Sequence, residues 1–153
     1  MRIAVDVMGG DHAPDAMIAG ALDALELLSD EQRIILVGDE TIIRETLAER
    51  GLSAEPRIEI EPATEVIEMG ETPIEALRAK PNSSIARMAW LGSPRADQQR
   101  ADVVMSAGNT GACVAACQMS MRRLSGVHRP GIAVTIPTFF GPIVVCDVGA
   151  NIV

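Results

Sequence analysis

The stretch Asp102–Cys117, DVVMSAGNTGACVAAC, contains the transition that decides the fold. It starts with an apolar run that is typical of a buried strand, and it ends with an alanine-rich run that predicts a helix. The small polar turn SAGNTG, residues 106–111, separates the two. Because alternating strands and helices build parallel sheets that helices cover, this stretch predicts an α/β protein.

The same alternation extends outward over most of the chain. Strands are also predicted at residues 2–7, 33–39, 57–64, 131–137 and 143–149. Helices are predicted at residues 14–28, 40–51, 72–80, 82–92 and 109–124. The short link between the last two strands predicts a hairpin. A length of 153 residues suits one α/β domain with a mostly parallel sheet.

The composition is that of a globular chain, with 48% hydrophobic and 22% charged residues. A net charge of −8 and an aromatic content of 2% argue against nucleic-acid binding, because the chain repels phosphate and offers few rings for base stacking. The clearest basic patch is the segment 121–129. No apolar segment reaches the roughly 18 residues of a membrane helix, and the start does not resemble a signal peptide, so we expect a cytoplasmic protein.

The three cysteines, Cys113, Cys117 and Cys146, are predicted to be small buried apolar residues in a reducing compartment. Cys113 and Cys117 share one face of a predicted helix, and Cys146 lies in an apolar strand. Their spacing is not that of metal ligands. We therefore expect no metal site and no cofactor.

Small, polar or acidic residues follow four of the predicted strands. These clusters are Asp6 with Gly9, Gly10 and Asp11; Gly38 with Asp39; Ser106 with Gly108, Asn109, Thr110 and Gly111; and Asp147 with Gly149 and Asn151. In open α/β sheets ligands bind beyond the carboxyl ends of the strands. If the strands are parallel, the four clusters converge on one edge, and that edge is the predicted site.

The turn SAGNTG allows two interpretations. It lacks the Gly-Lys-Ser/Thr of a Walker A loop, and it lacks a dinucleotide-binding fingerprint. The unpaired N–H groups and positive dipole end of a helix start can hold an anion such as phosphate, with Ser106, Asn109 and Thr110 adding side-chain donors. Alternatively, Asn109 or Thr110 only caps the helix.

Five further residues are candidates for the ligand site, but their spacing also allows a simpler interpretation of each. His12 is either an acid or base or an exposed loop residue. Lys80 beside Ser83 and Ser84 holds an anion or belongs to a solvated loop. Arg129 pairs with an anion or with a neighbouring carboxylate. Spacing alone therefore predicts an anionic ligand and does not name a reaction.

Six motifs occur together in a fixed order. They are MRIAVDVMGGDHAP, ILVGD, VIEMGETPIEALRAKPNSSI, DVVMSAGNTGA, RPGIAV and DVGAN. In this combination the chain resembles the PlsX family, the phosphate acyltransferases of bacterial phospholipid synthesis. The resemblance covers nearly all of the chain, and the pairing of MGGDHAP with SAGNTGA is its most specific part. Two mild departures are Val7, where the family commonly has Ala, and the cysteines of ACVAAC.

The resemblance implies a reaction in which acyl-ACP and inorganic phosphate give acyl phosphate and ACP. It also implies a three-layer α/β/α fold related to phosphate acetyltransferases and isopropylmalate dehydrogenases, without a cofactor. Further implications are a homodimer, peripheral association with the membrane, and a membrane acyltransferase that uses the product.

The resemblance also suggests roles for the predicted site. Asp6, Asp11, Ser106 and Asn109 are predicted as catalytic residues. Predicted to bind phosphate or substrate are Gly9, Gly10, His12, Lys80, Ser83, Ser84, Gly108, Thr110, Gly111, Arg129, Asp147 and Asn151. The reaction requires no covalent nucleophile, because phosphate itself attacks the thioester and the protein positions it and stabilises the oxyanion.

Members of the family are considerably longer than 153 residues. We therefore expect residues 1–153 to be the N-terminal part of a single α/β/α enzyme and to be inactive alone. Two rival readings stay open: a phosphate acyltransferase that uses acyl-CoA, and a non-catalytic anion-binding module.

Overall fold

The computed structural model describes residues 1–128 and 131–146. The chain divides into two compact units, Met1–Arg122 and Arg123–Val153, and each is described by itself. In the described residues no helix has the length and apolar character needed to cross a membrane.

The first unit is built on a four-stranded parallel sheet in the order β3-β2-β1-β4. Its strands are β1 Arg2–Asp6, β2 Arg33–Gly38, β3 Ile58–Pro62 and β4 Val103–Met105. Val5 of β1 lies opposite Met105 of β4. The turns that leave these two neighbouring strands therefore begin side by side at the carboxyl edge of the sheet.

Five α-helices surround the sheet, as the sequence pattern predicts. They are α1 Asp15–Asp23, α2 Glu40–Glu49, α3 Pro73–Ala79, α4 Ser84–Leu91 and α5 Thr110–Ser120. Two 3₁₀ segments, Ala24–Leu27 and Pro94–Gln99, complete the unit.

The strands bury alternate residues on opposite faces of the sheet, as pleated strands do. On one face Ile34 and Leu36 pack into a cluster with residues of α1 and α2. On the other face Ile35 and Val37 pack against Met88 of α4. A third cluster joins α3, α4 and α5. The result is the three-layer α/β/α architecture that the sequence predicts.

Side-chain caps fix the starts of α2 and α4. The Asp39 carboxylate accepts hydrogen bonds from the N–H groups of Thr41 at 2.8 Å and Ile42 at 3.2 Å, at the start of α2. Ser83 caps α4 in the same manner. Such caps satisfy N–H groups that have no partner within the helix. Asp39, which was grouped with the strand-end clusters, is therefore a helix cap.

Some helix bounds differ from the sequence prediction. The first helix is α-helical only to Asp23 and then tightens to a 3₁₀ segment, which still buries Leu25. The last helix was expected to reach Leu124, but it ends at Ser120 because Met121 has an extended backbone with ψ of 146°.

The described part of the second unit contains the predicted hairpin. Strands β5 Ala133–Ile136 and β6 Ile143–Cys146 are antiparallel and form a sheet of their own. The expectation that the last strand ends at the parallel edge is therefore wrong for β6. A tight link can join antiparallel strands only, whereas a parallel strand needs a longer crossover.

Candidate functional site

The carboxyl ends of β1 and β4 bring Asp6 and Ser106 into direct contact. Asp6 is fully buried. Its Oδ2 accepts a hydrogen bond of 2.7 Å from Ser106 Oγ, and its Oδ1 accepts one of 3.0 Å from the N–H of Met8. Ser106 Oγ in turn accepts the N–H of Gly108 at 3.1 Å. This network fixes the turn after β1 to the turn after β4.

Two glycines make that contact possible. A Cβ atom on Gly9 would lie 2.6 Å from Asp6 Oδ2 and 2.8 Å from the nitrogen of Gly108. Gly10 has a φ of +116°, a conformation that side chains rarely allow. The backbone that Gly9 approaches so closely belongs to the SAGNTG turn.

The start of α5 offers unpaired donors. The N–H groups of Thr110 and Gly111 have no hydrogen-bond acceptor within residues 1–128 and 131–146. They belong to the first turn of a helix of 11 residues, whose dipole adds partial positive charge. The Thr110 side chain is exposed beside them. This arrangement is suited to an anion.

Asn109 is engaged inside the protein. Its side-chain oxygen accepts the N–H of Ala112 at 3.0 Å and so caps α5. Its amide nitrogen donates to the carbonyl oxygens of Glu68, Met69 and Glu71 at 3.1, 3.3 and 3.2 Å. The capping interpretation therefore holds for Asn109. The second role, as the anchor of the loop 65–72, was missed because no spacing in the sequence indicates it.

Lys80 holds the same loop from its other side. Its Nζ donates to the carbonyl of Val66 at 2.8 Å and forms an ion pair of 2.6 Å with Glu71. The hydrogen bond from Lys80 lowers the pKa of Glu71, and the N–H of Glu68 lowers it further. Neither interpretation of Lys80 named Glu71, although both residues lie in the motif VIEMGETPIEALRAKPNSSI, nine residues apart.

The two serines before α4 are both buried. Ser83 Oγ accepts the N–H of Ala86 at 3.4 Å as the helix cap. Ser84 Oγ has no hydrogen-bond partner in the described part of the chain, although its backbone N–H donates to Glu65. Ile85 links this helix start to the turn, since its Cδ1 lies 3.3 Å from a Cβ built on Gly108. A buried hydroxyl without a partner is rare and lies near the predicted site.

The hydrogen-bond network of Asp6 and Ser106 does not include the remaining predicted residues that the structure describes. Asp11 and His12 are exposed. Gly111 lies in close contact with α3, where its Cβ would be 2.7 Å from Pro73 Cγ, so close helix packing accounts for this glycine. Arg129, Asp147 and Asn151 lie outside the described residues, as does Gly149.

The predicted burial of the cysteines is wrong for Cys146, which is exposed because all four residues of β6 are exposed. Cys113 and Cys117 are partly exposed on α5. In the described residues no group of three or more His, Cys, Asp or Glu side chains is placed to hold a metal ion.

A cavity of about 410 Å³ lies elsewhere on the first unit. Its lining comes from α2, β3 and the connection between them: Arg44, Leu47, Leu52, Ser53, Glu55, Ile58 and Ile60. None of these is a predicted site residue, so the cavity and the strand-end site are separate features.

Comparison with known families shows which family this chain belongs to. Residues 1–153 match the model of a family described as fatty acid synthesis protein. The chain belongs to this family, the PlsX family. The match extends over every motif on which the resemblance was based.

Curated relatives of this PlsX-family chain carry the name phosphate acyltransferase. The chain is 46% identical over 151 residues to the one from Salinibacter ruber, covering 99% of the chain and 44% of the relative. It is 47% identical over 151 residues to that of Akkermansia muciniphila, covering 99% and 42%, and 44% identical over 153 residues to that of Bacillus subtilis, covering 99% and 43%. The chain thus spans less than half the length of the relatives it matches.

Proposed function

We propose that this chain supplies the phosphate-binding part of an enzyme that transfers an acyl group to inorganic phosphate. The observation that supports this proposal is the pair of turns at the ends of β1 and β4, which Asp6 and Ser106 hold together. Beside these turns, the start of α5 has free N–H groups. The name phosphate acyltransferase, which the relatives carry, supports the reaction class.

The hydrogen bonds support roles for Ser106 and Asn109 that differ from the predicted catalytic ones. Ser106 gives its only hydroxyl proton to Asp6, and Asn109 uses its amide group inside the protein, so both act as positioning residues. The N–H groups of Thr110 and Gly111 and the Thr110 hydroxyl then contact phosphate. Fixed donors of this kind hold the attacking oxygen in place without being rearranged during the reaction.

We further propose a fatty acyl-ACP as the acyl donor, with acyl phosphate for phospholipid synthesis as the product. A cytoplasmic homodimer that associates peripherally with the membrane, and a membrane acyltransferase that takes up the product, complete the proposal. These points rest on the family resemblance. An acyl-CoA donor is the alternative, and an assay that compares the two donors distinguishes between them.

The deciding experiment removes one backbone donor. Thr110 is the first residue of α5, a position where proline is tolerated because its missing N–H has no partner in the helix. Thr110→Pro therefore deletes a proposed phosphate donor and keeps the helix. Thr110→Ala is the matched control, because it removes the hydroxyl and keeps the N–H.

Phosphate affinity is measured by calorimetry on the chain, with circular dichroism as the check on folding. Loss of one hydrogen bond to a charged group costs about 1.5–3 kcal/mol, so Thr110→Pro is expected to weaken phosphate binding roughly 10- to 100-fold. Thr110→Ala is expected to weaken it less. Equal affinities in the parent and the proline variant would refute the proposed donor.

Acyl transfer is assayed with a protein that contains this chain, palmitoyl-ACP or palmitoyl-CoA, and detection of the released thiol. Thiol release that requires phosphate and prefers palmitoyl-ACP is expected. Preference for palmitoyl-CoA would show that the donor is acyl-CoA and not acyl-ACP. Phosphate binding without any thiol release would favour the non-catalytic anion-binding module.

A further inference from the structure

Cys113 and Cys117 form a pair of thiols that the proposed phosphate site does not use. They are four residues apart on α5, so they lie on one face of the helix about one turn apart. Both are free and partly exposed. Both cysteines pack against the cluster of α3, α4 and α5, and Cys113 also packs against the buried residues of the sheet and α4.

The two thiols also interact with each other. A hydrogen bond between them lowers the pKa of Cys113 to about 7 and raises the pKa of Cys117. The charge of Asp6 acts on Cys113 in the opposite direction, which places this thiol near the Asp6–Ser106 network. Thiolate is the form of cysteine that binds soft metal ions, and a metal ion of this kind can displace the proton of either thiol.

Helix geometry decides what such a pair can form. Side chains four residues apart on a helix have Cβ atoms about 5–6 Å apart. A disulfide requires a Cβ–Cβ distance of about 3.5–4.5 Å, so a direct bond between Cys113 and Cys117 would distort α5. A single atom placed between the two sulfurs removes this difficulty, because it lengthens the bridge by one metal–sulfur bond.

We propose that Cys113 and Cys117 form a two-coordinate site for a soft monovalent cation of the Cu(I) class. Two thiolates on adjacent helical turns satisfy the two-coordinate preference of Cu(I), and thiolate is the ligand type that Cu(I) prefers. Structural Zn²⁺ needs four ligands, and no third His, Cys, Asp or Glu accompanies the pair in the described ranges.

Binding is an exchange of protons for the metal ion. Two S–H bonds break, two Cu–S bonds form, and two protons pass to solvent, while copper stays in the +1 state. The resulting complex carries one negative charge, which the positive end of the α5 dipole partly offsets, since Cys113 lies within the first turns of that helix.

The test is a competition titration with Cu(I) and a coloured Cu(I) chelator under anaerobic, reducing conditions. The parent chain is expected to withdraw one equivalent of Cu(I) from the chelator. Cys113→Ser and Cys117→Ser should each reduce this withdrawal at least tenfold. Cys146→Ser is the matched control, because it removes the third, exposed cysteine and leaves the pair.

Circular dichroism confirms that each variant keeps its helices. Full Cu(I) withdrawal by either single variant of the pair, or its loss in Cys146→Ser, would overturn the proposal. The mass of the parent before copper addition is a second readout, because a pair already oxidised to a disulfide has no thiolate to bind Cu(I). A loss of two hydrogens between Cys113 and Cys117 would show that the pair forms a disulfide instead, and would equally overturn it.

Discussion

At Gly9 the backbone of one turn lies against the backbone of another, with a buried carboxylate beside both. This contact sets the distance between the Asp6 turn and the start of α5. No side chain fits there, so the requirement for glycine comes from packing between two turns. The phosphate-binding geometry proposed above depends on this single close approach.

Replacing Gly9 by Ala is expected to destabilise the protein, since the new Cβ would lie 2.6 Å from Asp6 Oδ2. Overpacking of this kind costs about 1–3 kcal/mol in free energy of unfolding. Gly20→Ala is the control, because nothing lies within 4 Å of its Cβ position in α1, and it should stabilise the helix by about 0.5–1 kcal/mol. Urea denaturation measures both, and a Gly9→Ala variant as stable as the parent would show that the turns move apart freely.

At the scale of elements, the loop 65–72 is held from two helices. Asn109 at the start of α5 binds three of its carbonyl groups, and Lys80 at the end of α3 pairs with Glu71. The loop thus connects the start of α5 to the helix pair α3 and α4. Its conformation and that of the α5 N-terminus are set together.

The Lys80–Glu71 pair gives this loop a pH dependence. The pKa of Glu71 is lowered from its ordinary value of 4.5, so the stabilisation is fully present above that pH and is lost as the pH falls through the lower folded value. Parent and Glu71→Gln chains should therefore differ in free energy of unfolding at pH 7 and converge below pH 4.5. Glu45→Gln, at an exposed α2 position without an ion pair in the described residues, is the matched control for the loss of one surface carboxylate. Parallel pH curves for parent and Glu71→Gln would contradict the prediction.

Local patterns predicted the elements well and their mutual contacts poorly. The helices predicted at residues 40–51, 72–80 and 82–92 carry signals over a few residues, and the structure confirms them as α2, α3 and α4. The ion pair of Lys80 with Glu71 and the threefold use of Asn109 depend on how a loop folds over a helix. No periodicity records such contacts, so the sequence left these residues with open alternatives.

At the scale of the whole chain, the buried apolar residues are concentrated in the first unit. The buried residues of the three apolar clusters all lie between Ala4 and Ala116 in the chain. The hairpin of β5 and β6 is two-stranded, and its residues are exposed. Two-stranded hairpins are marginally stable alone, so the apolar stabilisation of the described residues belongs to Met1–Arg122.

A chain that ends at Arg122 is therefore expected to unfold cooperatively in urea, with a midpoint close to that of the 153-residue chain. The complementary peptide, residues 123–153, should show little strand signal by circular dichroism. The β-sheet and helix signals of residues 1–122 are the internal control for folding. A noncooperative transition for the shortened chain would show that the second unit is needed for the first to fold.

The sheet of the first unit ends at β3, whose outer backbone groups have no strand beside them among the described residues. An open edge of this kind invites another chain to add a strand, which is how many proteins begin to aggregate. Here two of the five residues are glutamates, Glu59 and Glu61, and the strand ends at Pro62. Both carboxylates are held in ion pairs, Glu59 with Arg2 and Glu61 with Arg87, so the feature that opposes strand addition at this edge is Pro62, which has no backbone N–H to donate.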